Sequence, residues 1–249
     1  MSTTESQFTF VDLFAGIGGF TAALTKMGGT CVYAVEKDSR AAAIYESAWG
    51  HKAFGDITHT ANDDHVVVPS ADILTAGFPC QPFSKSGNQL GMKDRTRGTL
   101  FKNIMNIVEA NKPRIVMLEN VRNLAGPRHH DDWDVIIGSL VEAGYRVNGS
   151  RSESVFSPHR LRPERGGRPQ NRERVFIMAI YDPENSSPAG CKALDRTNIF
   201  DYNPSDWDLE RDLLDTSSDS NENLNLSTNE KHILDAWDAW VKLMRKSDN

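Results

Sequence analysis

Residues 72–84, Asp-Ile-Leu-Thr-Ala-Gly-Phe-Pro-Cys-Gln-Pro-Phe-Ser, set the strongest limit on how this chain folds. Ile73 to Ala76 is an apolar run of strand length. Gly77 and the prolines at 79 and 82 stop it, because proline lacks the N–H that a ladder needs. A short apolar strand of this kind suits the inside of a parallel sheet. In open α/β sheets, ligands and catalytic groups gather beyond the carboxyl ends of such strands. Cys80 therefore stands where chemistry is expected. A cysteine in isolation is more often a small buried hydrophobe, so its meaning depends on what else reaches the same edge.

The chain supplies several such edges. Phe8 to Phe14 reads as a strand that stops at Ala15-Gly-Ile-Gly-Gly19, and Phe20 to Met27 then has helical character. Glycines let the backbone approach a ligand, and the N–H groups opening the helix suit a carboxylate or phosphate. Thr21 stands where the dinucleotide fingerprint has its third glycine, which disfavours NAD and points to a different nucleoside ligand. Cys31 to Glu36 is the next strand, followed by a helix over Ser39 to Ala48. Glu36 sits where nucleotide folds place a carboxylate for two ribose hydroxyls. Phe54-Gly-Asp-Ile57 marks another strand end, with Asp56 as an acceptor for an adenine amino group and Ile57 as an apolar wall. A solvated charge and a plain Gly-Asp turn are the competing readings of these two places.

Beyond Ser84, the segment with Lys85, Lys93, Arg95 and Arg97 is cationic and broken by Gly87, Gly91 and Gly98. It suits either a solvated surface or a loop that closes over a phosphate backbone. Leu100, Ile104, Ile107 and Val108 recur at helical spacing. Pro113 to Glu119 is a further strand ending in an acid, so Glu119 and Cys80 are expected to share one sheet edge. Asp134 to Ala143 reads as a helix and Tyr145 to Ser150 as a strand. Arg151, Arg160, Arg162, Arg165, Arg168, Arg172 and Arg174 form a basic stretch that leads into a last strand, Val175 to Ile180. Arginine forks match phosphates and base edges, although a solvated face carries arginines too.

Composition narrows the class. A formal net charge of -6 argues against a generally basic nucleic-acid binder, so any such surface must come from local charge placement. Cys31, Cys80 and Cys191 are odd in number and far apart, which fits neither a disulfide framework nor a zinc site. No metal is expected, and a reducing cytoplasm suits the chain. No apolar run reaches the length of a membrane span, and the first ten residues lack a secretion pattern. From Asp182 the chain turns acidic. This divides it into a main α/β domain over 8–181, which would carry any catalysis, an acidic irregular linker over 182–226 and an amphipathic helix over 227–246. In that helix Ser227 and Glu230 form a capping box, and Ile233, Trp237, Trp240, Val241 and Met244 form one apolar stripe that needs a partner surface.

These residues carry a resemblance. Asp12-Leu-Phe-Ala-Gly-Ile-Gly-Gly-Phe20, Gly77-Phe-Pro-Cys-Gln-Pro-Phe-Ser84, Glu119-Asn-Val121 and Gln170-Asn-Arg-Glu-Arg174 match, in order, the signature blocks of the DNA cytosine-5 methyltransferases. Glu36-Lys-Asp38 and Gly55-Asp-Ile57 match two weaker blocks. The stretch Leu161 to Pro169 departs from the usual short approach to the glutamine–arginine block.

The resemblance implies a doubly wound, mainly parallel sheet of the S-adenosylmethionine-dependent, Rossmann-like type, with Val175 to Ile180 antiparallel beside Tyr145 to Ser150. It implies Cys80 as nucleophile, Glu119 as the acid at ring nitrogen 3, and Arg172 and Arg174 as orienting groups. It further implies S-adenosylmethionine held by Phe14, Gly16, Gly18, Gly19, Glu36, Asp56, Ile57 and Pro79. Duplex DNA is then the partner, with a flipped cytosine as substrate, in a restriction–modification setting. A tRNA cytosine-5 methyltransferase and a non-catalytic subunit of a split enzyme are the alternatives. Family members carry a target-recognition domain and a returning asparagine block, so a second polypeptide is also expected.

Overall fold

The computed structural model describes residues 7–62, 65–79, 99–188 and 202–208, together with Thr228, Lys231, His232 and Asp235. Two units are present, Met1–Asp206 and Trp207–Asn249. In the second, the four isolated residues just named are helical and exposed. The apolar stripe from Ile233 to Met244 lies outside the described residues. No helix among the described residues is long and apolar enough to cross a membrane.

In the first unit, strands β1 (Phe8–Leu13), β2 (Gly29–Val35), β3 (Ile73–Gly77), β4 (Ile115–Val121), β5 (Tyr145–Val147), β6 (Val155–Phe156) and β7 (Arg174–Tyr181) form one sheet. Its order is β2-β1-β3-β4-β7-β5, with β6 paired to β7. β1, β2, β3 and β4 run parallel, and β7 is antiparallel to both β4 and β5. The expected doubly wound, mainly parallel sheet with one reversed strand is therefore what the chain adopts. β5 is shorter than expected because Asn148 turns its side chain to accept from the Ser150 N–H, an Asx-type turn that ends the strand.

The strands alternate their burial partners across the two faces. Val11, Leu13, Leu74, Ala76, Val116, Leu118, Val175, Ile177 and Ala179 face a core shared with helices α4 (Leu100–Asn111) and α5 (His130–Glu142). Helices α1 (Gly19–Lys26) and α2 (Ser39–Trp49) serve the opposite face, and a single turn, α3 (Ile57–Thr60), follows α2. Caps set these boundaries. Asp38 accepts from the N–H groups of Arg40 and Ala41 to start α2, and Gly50 ends it at φ 74°, a conformation glycine adopts without strain. α5 begins four residues earlier than the sequence pattern gives, because Asp131 and Asp132 in its first turn favour the positive helix end.

The chain steps outward from β1 to β2 and then returns to the other side of β1 as β3. The reversal puts the crevice between the carboxyl ends of β1 and β3, where open α/β sheets take their ligands.

Candidate active site

At the end of β1 the backbone is held in unusual form. Phe14 has φ 57°, rare for a residue with a side chain, and Gly16 and Gly18 are at φ 57° and 97°. A Cβ added at Gly16 or Gly19 would meet nothing within 4 Å, so the turn presents bare backbone to open space. Glu36, one residue past β2, reaches back to this turn. Its Oε2 accepts from the Gly16 N–H at 2.8 Å and its Oε1 from the Asp38 N–H at 2.7 Å. Trp49 clamps the same turn from α2, donating from Nε1 to the Ile17 carbonyl at 3.1 Å. A Cβ on Gly18 would lie 2.1 Å from that indole nitrogen, which is why glycine is needed there.

Beneath the turn lies a polar array. Asp12 is fully buried on β1 and accepts from the Thr21 N–H at 3.1 Å, the Thr21 hydroxyl at 2.8 Å and the Thr75 hydroxyl at 3.0 Å. Burial pushes its carboxyl up to about 6, against the pull of those hydrogen bonds. Thr21 thus has a role that a third glycine could not fill.

The carboxyl ends of β3 and β4 meet this turn. A Cβ on Gly77 would sit 3.4 Å from Glu119 Oε2 and 3.8 Å from the Phe14 carbonyl oxygen, so three blocks distant in sequence converge at one edge. Glu119 pairs with Arg174, Nε to Oε1 at 3.1 Å. Burial still holds the Glu119 carboxyl above its ordinary value, although the charges of Arg174 and Arg172 pull it down. Beside the pair opens a cavity of about 490 Å³, whose lining includes Met117, Phe156, Phe176 and Met178, with Glu119, Arg172 and Arg174 as its charged groups. Asn120 is buried and donates to the Phe78 carbonyl at 2.9 Å, which fixes the chain as it leaves β3 toward Pro79. Pro79 is exposed, and Cys80 and the cationic loop after it lie outside the described residues.

The adenine-side candidates are placed differently from the others. Asp56 caps α3 by accepting the Thr58 N–H and hydroxyl, and its other oxygen pairs with Lys37 at 2.6 Å. The Lys37 contact and the Thr58 N–H bring its carboxyl down to about 2. Ile57 is buried in the core at 2% exposure.

The sequence of residues 8–247 matches the model of the C-5 cytosine-specific DNA methylases. The chain belongs to the C-5 cytosine-specific DNA methylase family. Type II methyltransferase M.AluI of Cellulosimicrobium cellulans is 55% identical over 188 residues, covering 74% of this chain and 36% of that protein. Type II methyltransferase M.HhaI of Haemophilus parahaemolyticus is 40% identical over 176 residues, covering 71% of this chain and 50% of that one. The chain thus spans between about a third and a half of the length of these relatives. The crystal structure of S. pombe Dnmt2 methyltransferase shares the fold at TM-score 0.50 and 21% identity, over 70% of this chain and 50% of that one.

Within this methylase-family domain, several residues at the edge carry no assignment from sequence. Asp12 is one, although an acid inside the apolar run Phe8 to Phe14 is itself a signal. Asn120, Trp49 and the Arg122–Glu173 ion pair, 2.8 Å across the β4–β7 exit, are others. The basic stretch is divided: Arg174 and Arg172 join the cavity, while Arg151 turns to His130 and Asp134 on α5. Leu161 to Pro169 folds into a tight loop closed by the Gly167 N–H to the Arg162 carbonyl at 3.0 Å.

Proposed function

We propose that this domain transfers a methyl group to carbon 5 of a cytosine in duplex DNA, with Cys80 as covalent nucleophile and S-adenosylmethionine as donor. The convergence of the Phe14–Gly19 turn, the β3 exit and the Glu119–Arg174 pair at one sheet edge carries this reading.

The residues present fit the donor. Gly16 and Gly19 would leave room for its methionine portion, Gly18 would let Trp49 brace the turn from the other side, and the ring of Phe14 and the exposed Pro79 would lie beside it. Glu36 retains lone pairs for ribose hydroxyls besides the two N–H groups it accepts. Asp56 and the backbone at Ile57 would receive the adenine. When bound, this group supplies an electrophilic methyl.

The chain's own residues prepare the base. Cytosine carbon 5 is a poor nucleophile until a thiolate adds to carbon 6, and Cys80 is the residue to do this. Negative charge then accumulates on the ring, and a protonated Glu119 relieves it at nitrogen 3. Its raised pKa favours the protonated form, while Arg174 holds the carboxyl in place. Loss of the carbon 5 proton and departure of the Cys80 thiolate restore aromaticity. A base inside a stacked duplex cannot reach this edge, so the cytosine is flipped into the cavity beside Glu119. The cationic segment with Lys85, Lys93, Arg95 and Arg97 suits the phosphates around it. A second polypeptide that selects the DNA sequence belongs to the same proposal.

The test is incubation of the chain with labelled S-adenosylmethionine and either duplex DNA or tRNA, together with a duplex carrying 5-fluorocytosine to trap the adduct. Labelled DNA and a trapped complex are expected when a polypeptide carrying the target-recognition portion is added to the chain, and both are lost in Cys80→Ser. Trapping that persists in Cys80→Ser, or label that enters only tRNA, would overturn the assignment.

A further inference from the structure

We propose that Asp12 is a positioning residue whose carboxylate acts as the internal amino-terminal cap of α1 and so holds the glycine turn in its ligand-receiving form. This rests on the cofactor reading of that turn given above. The cap residue of α1 is Gly18, which has no side chain to offer, so the N–H groups of the first turn need an acceptor from elsewhere. Thr21 is the third residue of the helix, the position that a capping side chain ordinarily serves. Asp12 reaches it from β1 and takes both its N–H and its hydroxyl on Oδ2. Its Oδ1 takes the hydroxyl of Thr75 from β3. One carboxylate thereby joins β1, α1 and β3 directly under the turn.

The array extends through α2 and β2. The Thr21 hydroxyl hydrogen is committed to Asp12, so Tyr45 donates to the Thr21 oxygen at 2.9 Å, and Cys31 Sγ lies 3.5 Å from the Tyr45 oxygen. Tyr45 and Trp49 lie four residues apart on α2, so the helix that clamps Ile17 from outside also braces this array from within. The groups acting on Asp12 are thus Thr21, Thr75, Tyr45 and Cys31, with Glu36 as a charge of the same sign. An asparagine of equal shape holds both threonines only as the neutral acid would, its Oδ1 accepting from Thr21 and its Nδ2 donating to Thr75.

Protonation has a defined place. Thr75 already reaches the Val11 carbonyl at 3.1 Å, so it can donate there and accept a proton carried on Asp12 Oδ1. Oδ2 faces an N–H and cannot carry it. Burial raises the Asp12 pKa in the folded turn, so a proton there is held more firmly than in an opened turn: protonation weakens the bond from the Thr21 N–H without opening the turn, and the folded form gains stability as pH falls through the Asp12 pKa.

Two readouts on the full chain test this: amide NMR of Gly19 and Thr21 from about pH 5 to pH 8, and calorimetry with S-adenosylhomocysteine over the same range. In the wild type the Thr21 amide titrates with a midpoint near 6, and S-adenosylhomocysteine binds on both sides of it. Asp12→Asn, which mimics the neutral acid, gives a flat amide profile, and Asp12→Ala, which caps nothing, binds S-adenosylhomocysteine about tenfold more weakly at every pH. Thr21→Val keeps the N–H but removes one bond to the carboxylate, so the midpoint moves up; it also serves if Asp12→Asn does not fold. A Thr21 amide that does not titrate, or identical profiles in wild type and Asp12→Asn, overturns the capping role. A wild type that titrates but binds no S-adenosylhomocysteine overturns the cofactor reading of the turn instead.

Discussion

Asn120 donates from Nδ2 to the carbonyl oxygen of Phe78 at 2.9 Å, so the carboxyl end of β4 holds the chain two residues before Cys80. The same side chain accepts the Val121 N–H at 2.8 Å, and the bond to Phe78 is made out of water. Asn120→Ala leaves a buried carbonyl unpaired and is expected to cost about 1–3 kcal/mol in urea unfolding. Methyl transfer should fall by more than that loss explains, since the approach to Cys80 is released. A variant with lowered stability and wild-type turnover would restrict Asn120 to a structural role.

A pH dependence of activity is predicted at Glu119. Burial raises its pKa, so the protonated fraction grows as pH falls and is lost as pH rises through the folded value. If it acts as the acid, turnover declines across that interval at high pH, opposite in sense to the Cys80 thiolate requirement, and the two give a bell-shaped profile. Glu119→Gln should lower kcat by about 10²–10⁴-fold and remove the declining limb. An unchanged profile in the variant would take Glu119 out of the proton path.

Glu36 links two parts of the site through one carboxylate. Glu36→Ala is expected to weaken S-adenosylmethionine binding by about 1–3 kcal/mol, both by removing the ribose acceptor and by freeing the Gly16 N–H. Titration calorimetry measures it directly. Affinity equal to that of the wild type would exclude Glu36 from the pocket.

Gly18 tests the turn by geometry alone. At φ 97° an alanine is strained by about 1–2 kcal/mol, and its methyl would displace the Trp49 ring. Gly18→Ala should lower the thermal midpoint and shift Trp49 emission, whereas Gly19→Ala, with open space around it, should do neither.

Much of the fold is legible in the sequence because buried parallel strands announce themselves as short apolar runs closed by glycine, proline or an acid. Ile73 to Ala76 and Pro113 to Glu119 are such runs, and their shared edge follows from strand order. The packing of side chains between elements is not legible in this way. That Glu36 binds Gly16, that Trp49 lies over Gly18 and that Asp12 reaches Thr21 all depend on how far each helix slides along the sheet, which no local pattern encodes. The two residues given to adenine show the limit most clearly. The Gly55-Asp-Ile57 pattern points to a candidate site, yet a pattern does not say that Lys37 would occupy one Asp56 oxygen or that Ile57 would turn into the core.

The reversed direction of β7 settles where traffic along the chain enters and leaves. A parallel strand in that place would deliver its last residue to the reactive edge, whereas here the first, Arg174, arrives beside Glu119. Tyr181 is paired with Tyr145 at the far rim, about 25 Å away at the rise of an eight-residue strand. Polypeptide continuing from Tyr181 starts its route at the rim most remote from the chemistry. A tether, label or fused module attached just past that strand is therefore separated from the candidate site by the full length of β7, while one attached ahead of Arg174 would stand in its doorway.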